Sequence, residues 1–159
     1  MTFYENVEKK TKENKFYRNV VYTGKYSQFV YMNIKPLDFI HMEVHKTIDQ
    51  FIRVESGKGV AIINNKKYKL YDGIGFIIPA GKNHKIINTS KTQELKLYSI
   101  YSPPEHPSGL KQINNPDKKN SKKNSKKHSK KNSKKQSKKQ SKKQSKKQSK
   151  KNSKKQSKK

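Results

Sequence analysis

Between Asp72 and Asn88 the chain reads Asp-Gly-Ile-Gly-Phe-Ile-Ile-Pro-Ala-Gly-Lys-Asn-His-Lys-Ile-Ile-Asn. Few folds accommodate this order. Ile74, Phe76 and Ile78 recur at the two-residue period of a strand with a buried face. Asp-Gly before the run and Pro-Ala-Gly after it are turn chemistry, Pro setting φ and Gly allowing φ above zero. A strand, a tight turn and a second strand therefore follow one another, and His84 opens the second strand opposite an apolar wall. A histidine placed so closely invites a search for partners.

The residues before and after repeat the pattern. Strand-like runs cover 19–22, 28–34, 49–55, 60–63, 67–70, 73–78, 84–88 and 95–101, punctuated by Gly24, Pro36, Ser56-Gly57, Asn64-Asn65 and Pro103-Pro104. Asn64-Asn65 between apolar runs predicts a two-residue hairpin turn, since Asn tolerates positive φ. Only the Lys/Glu-rich stretch at 3–14, with Phe3, Tyr4 and Val7, has helical spacing. Many short strands with one short helix predict an all-β fold, an antiparallel sandwich or barrel. The aromatic set Tyr22, Phe29, Tyr31, Phe51, Phe76, Tyr98 and Tyr101 is read as core.

Charge divides the chain in two. All 11 Asp and Glu lie in residues 1–117 beside 18 Lys and Arg, while residues 118–159 carry 22 lysines and no apolar residue. The first part is long enough for one core. The second repeats Ser-Lys-Lys every four residues with Asn, His128 or Gln between, and such a segment stays disordered in isolation. Dense lysine attracts polyanions through counterion release, and without aromatics it reads no base. The expected partner of the tail is nucleic acid or another polyanion, bound without sequence preference; the alternative is a solubilising appendage. Its serines offer a phosphorylation switch. With no cysteine, disulfide and thiolate chemistry are excluded. Neither a membrane-spanning run nor a signal peptide is evident, so an intracellular protein, cytoplasmic or nuclear and not secreted, is expected.

A second polar cluster reads His41-Met42-Glu43-Val44-His45, with Gln50 opening the next apolar run. In a strand His41, Glu43 and His45 share a face. Imidazole, carboxylate and amide oxygen converging inside a barrel outline a site for a divalent metal ion, which His84 would complete. The bland reading is a polar loop. Arg53 and Tyr98 are further pocket candidates whose strand parity is open, and Glu105-His106, between prolines, is read as solvated outside the barrel.

The two clusters resemble the two motifs of the cupin superfamily. The second motif, G-x5-P-x-G-x2-H-x3-N, is matched in full by Gly73, Pro79, Gly81, His84 and Asn88; the first only in part, by His45 and the closing Gly57. Glu43 stands where its first His is expected and Gln50 where its Glu is expected, a pattern similar to a single-domain subgroup labelled mannose-6-phosphate isomerase-like. The resemblance, covering 17–107, implies a single antiparallel β-barrel (jelly-roll) with a helical lead-in at 1–16, a linker at 108–117 and the disordered basic tail at 118–159. It implies a divalent metal (Mn, Fe or Zn) on Glu43, His45, Gln50 and His84, with His41 as surrogate ligand, and an unidentified small-molecule ligand. Two imidazoles, one carboxylate and one amide are harder than three imidazoles and a carboxylate, so Mn²⁺ or Fe²⁺ loses less affinity than Cu²⁺, and Zn²⁺ is still accepted. The three-His set of the family's thiol dioxygenases is absent. Leu37, Asp38 and His41 replace glycines usual in the loop before Glu43, which predicts a rebuilt loop. Two functions follow: a sugar or sugar-phosphate isomerase or epimerase-like enzyme, or a non-catalytic ligand-binding or scaffold module tethered to nucleic acid by its tail. Pairing of barrels through an edge strand would give a homodimer.

Overall fold

Alternating apolar residues dictate two facing sheets. A computed structural model describes residues 2–118; the repeat beyond Lys118, and with it the expectation of a disordered polyanion-binding tail, lies outside them. One short helix, α1 (Val7–Glu13), precedes ten strands: β1 (Arg18–Thr23), β2 (Gln28–Ile34), β3 (Phe39–Val44), β4 (Asp49–Ser56), β5 (Gly59–Ile63), β6 (Lys66–Leu70), β7 (Gly75–Ile78), β8 (Asn83–Asn88), β9 (Leu95–Ser102) and β10 (Lys111–Gln112). Six form one sheet in the order β10-β1-β2-β9-β4-β7 and four the other, β3-β8-β5-β6. Every pairing is antiparallel. This is the expected all-β jelly roll. Ile52 and Val54 of β4, Met32 and Ile34 of β2, Leu95 and Leu97 of β9 and Ile86 of β8 are among the side chains that close the core between the sheets.

All seven residues of β2 are buried, although a strand in a two-layer sandwich has an outer face. The N-terminal segment supplies the cover. Phe3 stacks on Phe29 at 4.8 Å, Glu5 accepts the Tyr31 hydroxyl hydrogen at 2.8 Å, and α1 packs on the same sheet. Asn6 caps the helix by accepting from Lys9 N–H at 3.0 Å. Seven residues would not hold a helix alone, so packing sustains it.

Turn chemistry sets the registers. Asn64 and Asn65 take φ of 44° and 66°, the left-handed pair of a two-residue hairpin, and Ile63 faces Lys66 across it. Within the stretch 108–117, expected as a linker, residues 110–115 pack on the barrel. β10 pairs with β1, Leu110 accepts from Val20 N–H at 2.9 Å, and buried Asn115 donates to Asp38 and Phe39 at 3.0 and 2.8 Å. The prolines that end β9 turn the chain back along the sheet edge rather than away from it. Among the described residues no helix is long and apolar enough to cross a membrane.

Gly57 sits where β4 meets β9, with φ of +91°; a Cβ there would lie 2.3 Å from the Glu94 carbonyl oxygen. Gly57→Ala is expected to cost about 2 kcal/mol or more, from a left-handed backbone and a backbone clash together, read as a lowered denaturant midpoint. The Glu94 side chain bridges Lys35 and the buried Lys96, whose ammonium also reaches the Asn14 carbonyl. Burial pushes the Glu94 carboxyl up, but the hydrogen bonds from Lys35 and Lys96 outweigh it and hold it at about 2, below the ordinary 4.5. As the folded value is depressed, the unfolded chain takes up the proton first. This contribution is complete above pH 4.5 and disappears as pH falls towards 2. Glu94→Gln should flatten the acid limb of stability against pH in that window; an unchanged limb would remove Glu94 as its source.

Candidate metal centre

Two turns deliver the donor groups. In the turn between β7 and β8, Gly81 has φ of +76° and its N–H donates to the His45 carbonyl at 2.7 Å, while Ala80 N–H donates to Asp49 Oδ1 at 2.8 Å. The turn that launches His84 is therefore bonded to the turn that carries His45. At the other end of β8, Asn88 is fully buried; its Nδ2 lies within 3.1 Å of the carbonyl oxygens of Ile34, Lys35 and Gln93, and its Oδ1 accepts from Ser90 N–H. Pro79, Gly81 and Asn88 thus hold both ends of the strand that presents His84. Leu37 takes φ of +57°, so the loop expected to be rebuilt keeps a glycine-like conformation on a leucine.

Parity along β3 is not that of a simple strand. Ile40 pairs with Ile86 and Glu43 with His84, three residues against two, so one extra residue forms a bulge. Ile40 and Glu43 consequently both turn inward, and His41 loses the face it would share with Glu43. The His41 ring instead meets Phe39 edge-on at 4.8 Å. Glu43, His45 and His84 bring one donor atom each within 4.8 Å of one another; His41 is not among them. Its expected role as surrogate ligand is not supported by this placement.

Separations within the cluster suit one ion. His45 Nε2 lies 3.7 Å and His84 Nε2 4.0 Å from Glu43 Oε2, close to the spacing of ligands that share an ion about 2.1 Å from each. Both Nε2 atoms are buried without a hydrogen-bond partner. His84 Nδ1 faces the Lys82 carbonyl at 3.1 Å, which makes Nδ1 the protonated nitrogen and leaves the Nε2 lone pair towards Glu43. Burial pulls the His84 pKa down, against a smaller opposing effect of that carbonyl, so the ring is neutral as a ligand must be.

Gln50 joins from β4. Its amide nitrogen donates to Ser99 Oγ at 3.1 Å and Tyr101 Oη at 3.0 Å, leaving Oε1 buried without a partner. The Tyr101 ring meets the His45 ring edge-on at 5.7 Å. Burial holds the Tyr101 phenol well above its ordinary value, so it stays neutral beside the cluster. Three buried N and O atoms without a hydrogen-bond partner, His45 Nε2, His84 Nε2 and Gln50 Oε1, are costly to leave so. A divalent cation held by Glu43, His45 and His84 would satisfy both imidazole nitrogens.

Several residues escaped sequence reasoning. Glu105 Oε1 lies 3.4 Å from His45 Nδ1. His106 donates its N–H to Gln28 Oε1 at 2.9 Å, accepts from Gln28 Nε2 at 2.7 Å, and rests edge-on against Tyr101 at 4.9 Å. The pair expected to be solvated outside the barrel is docked against it. Burial, with Arg18 and His45 nearby, lowers the His106 pKa to about 4. Arg18 stands 3.6 Å from Glu43 Oε1 and donates to Gln112 at 3.2 Å. A Glu-His pair held between prolines just beyond a buried strand was the available signal. Arg53 and Tyr98, in contrast, lie on the outer face: Arg53 pairs with Glu55 at 2.9 Å and Tyr98 stacks on Phe29 at 4.8 Å. Inward Ile52 and Val54 on either side of Arg53 fix that parity. A separate groove of about 720 Å³ between the edges β6 and β7, floored by Leu70, Ile74 and Phe76, contains none of the four donors.

Known proteins share this arrangement of strands. Residues 30–101 match the family model described as Cupin domain. The uncharacterized protein L612 of Acanthamoeba polyphaga mimivirus is 41% identical over 119 residues, 73% of this chain and 74% of that protein. The uncharacterized protein YrkC of Bacillus subtilis is 40% identical over 113 residues, 67% of this chain and 60% of that protein's length. Among solved structures, a Bacillus halodurans protein superposes with a TM-score of 0.69 at 36% identity, covering 71% of this chain and 89% of that one. A Thermus thermophilus protein of the same fold follows with a TM-score of 0.57 at 18% identity, covering 64% of this chain and 98% of that one. With the jelly roll, both motif turns and these relatives in agreement, the chain belongs to the cupin family.

Proposed function

We propose that Glu43, His45, Gln50 and His84 hold one divalent ion, Mn²⁺, Fe²⁺ or Zn²⁺, and that the barrel works on a small molecule at this centre. One observation carries the reading: the Nε2 atoms of His45 and His84 are buried without hydrogen-bond partners around a single carboxylate. Of the donors, the carboxylate and amide favour harder ions, whereas the imidazoles admit zinc. When bound, the ion supplies Lewis acidity to an oxygen of the ligand. The chain's own part is to exclude water through Tyr101 and the apolar wall, and to hold both imidazoles with Nε2 inward. Isomerisation or epimerisation of a sugar or sugar phosphate is the proposed reaction class, since it uses a polarised carbonyl. Binding of polyanions by the lysine repeat is proposed alongside it on composition alone.

Metal binding is tested on chelator-stripped protein by calorimetric titration with Mn²⁺ and Zn²⁺. One ion per chain is expected, with thermal stabilisation that rises as metal is added, by about 2.7 kcal/mol at a hundred times the Kd. Glu43→Ala combined with His84→Ala should abolish both effects; stoichiometric binding by that variant would refute the ligand assignment. Loaded protein incubated with aldose and ketose phosphates in deuterated water should exchange a carbon-bound hydrogen, visible by NMR. Absence of exchange across such substrates removes the isomerase reading.

For the repeat, the full chain should retain DNA and RNA of any sequence at low salt and release them steeply as salt rises. A chain ending at residue 117 should not retain them. Equal retention by the shortened chain would refute tail-mediated binding.

A further inference from the structure

Both histidines of the centre use the same device with different partners. His84 turns Nδ1 to a backbone oxygen, the Lys82 carbonyl at 3.1 Å, and buries Nε2 beside Glu43. His45 likewise buries Nε2, 3.7 Å from Glu43 Oε2, but the oxygen on its Nδ1 side belongs to a side chain, Glu105 Oε1 at 3.4 Å. The imidazole therefore has a carboxylate on each side. Were its hydrogen on Nε2, the Nδ1 lone pair would face the Glu105 carboxylate, an unfavourable contact. With the hydrogen on Nδ1, Glu105 Oε1 at 3.4 Å is the acceptor it faces, and Nε2 is left to the cluster.

Glu105 is not free to wander. Pro103 and Pro104 restrict the chain before it. The next residue, His106, is clamped by the reciprocal pair of hydrogen bonds with Gln28, which is fully buried, and its ring rests on Tyr101. The segment that follows continues the same task from the other side. Gln112 of β10 accepts from Arg18, whose guanidinium faces Glu43 Oε1 and leaves Oε2 for the histidines. Both contacts come from residues outside the two motifs.

Resting on the metal-centre reading above, we propose that Glu105 is a positioning residue of this centre: its carboxylate holds His45 in the Nδ1–H tautomer and aims Nε2 at the ion. Carboxylate–histidine–metal arrangements of this kind commonly contribute 10–100-fold to metal affinity. Glu105 touches no ion itself and reaches the centre only through the ring of His45.

The test uses the full chain, stripped of metal, as wild type, Glu105→Gln and Glu105→Ala. Zn²⁺ and Mn²⁺ titrations give affinity, and ¹⁵N spectra of histidine-labelled, metal-free protein give the tautomer of His45. Glu105→Ala should weaken binding about 10–100-fold and mix the His45 tautomers, with the melting temperature of the metal-free protein unchanged. Glu105→Gln, whose amide oxygen still accepts from Nδ1–H, should keep the tautomer and recover most of the affinity. Wild-type affinity together with an unmixed tautomer in Glu105→Ala would overturn the positioning role while leaving the metal centre intact. No binding by wild type would overturn the centre and with it this role. Equal weakening in both variants with an unchanged tautomer would show a charge effect and overturn the positioning role too.

Discussion

A backbone hydrogen bond from Gly81 N–H to the His45 carbonyl at 2.7 Å reinforces the β3–β8 pairing that joins the two halves of this site. It can form only because Gly81 occupies the left-handed region, where its N–H turns away from its own strand. Pro79 before it and Asn88 after it fix the two ends of the excursion. With the two turns tied together, His45 and His84 sit with ring centroids 5.2 Å apart, although one follows β3 and the other opens β8. The donors of the candidate metal centre are placed by backbone geometry, and core packing holds that geometry still.

The same reasoning explains how far the sequence could be read. Turn residues with a unique conformational need, the Asn64-Asn65 hairpin and the Pro79-Ala80-Gly81 turn, determine local structure almost alone, and the strands they bound follow. The clustering of Glu43, His45 and His84 was legible because strand period and the resemblance to the two motifs place them. His41 lies outside the cluster, and a bulge in β3 inserts one residue between Ile40 and Glu43. Nothing in the residues from 38 to 45 marks that bulge. It is decided by the partner strand β8, where Ile86 and His84 must both face inward, so parity on β3 is a tertiary property.

Residues 103–115 were illegible for a related reason. Three prolines and short polar residues carry the signature of a linker, yet this stretch satisfies groups that the barrel leaves open. Gln28 is buried with both ends of its amide bonded to the His106 backbone, Asp38 accepts from Asn115, and Arg18 donates to Gln112. Each of those partners lies at least 75 residues away along the chain. A buried Gln in an apolar strand such as 28–34 signals that something must come to meet it, but it does not say which segment comes.

The outer contacts of the two histidines differ in a way that matters for how the centre could change. His84 is oriented by a carbonyl of its own turn, a contact that no side-chain substitution can delete and that persists as long as Pro79 and Gly81 shape the turn. His45 is oriented by a side chain on a segment beyond the last long strand, and Glu43 by Arg18, itself held by Gln112 of the two-residue edge strand β10. One half of the site is thus built into the fold, and the other is tuned by residues that can vary without disturbing the core. Gln50 sits in the same tunable half, with an amide where a carboxylate would add a charge. Its Nε2 bonds to Ser99 and Tyr101 require an amide donor, so restoring Glu at this position would turn a carboxylate oxygen towards two hydroxyls that must then reverse their donation. The character of this oxygen donor and the orientation of its two hydroxyl partners are therefore coupled.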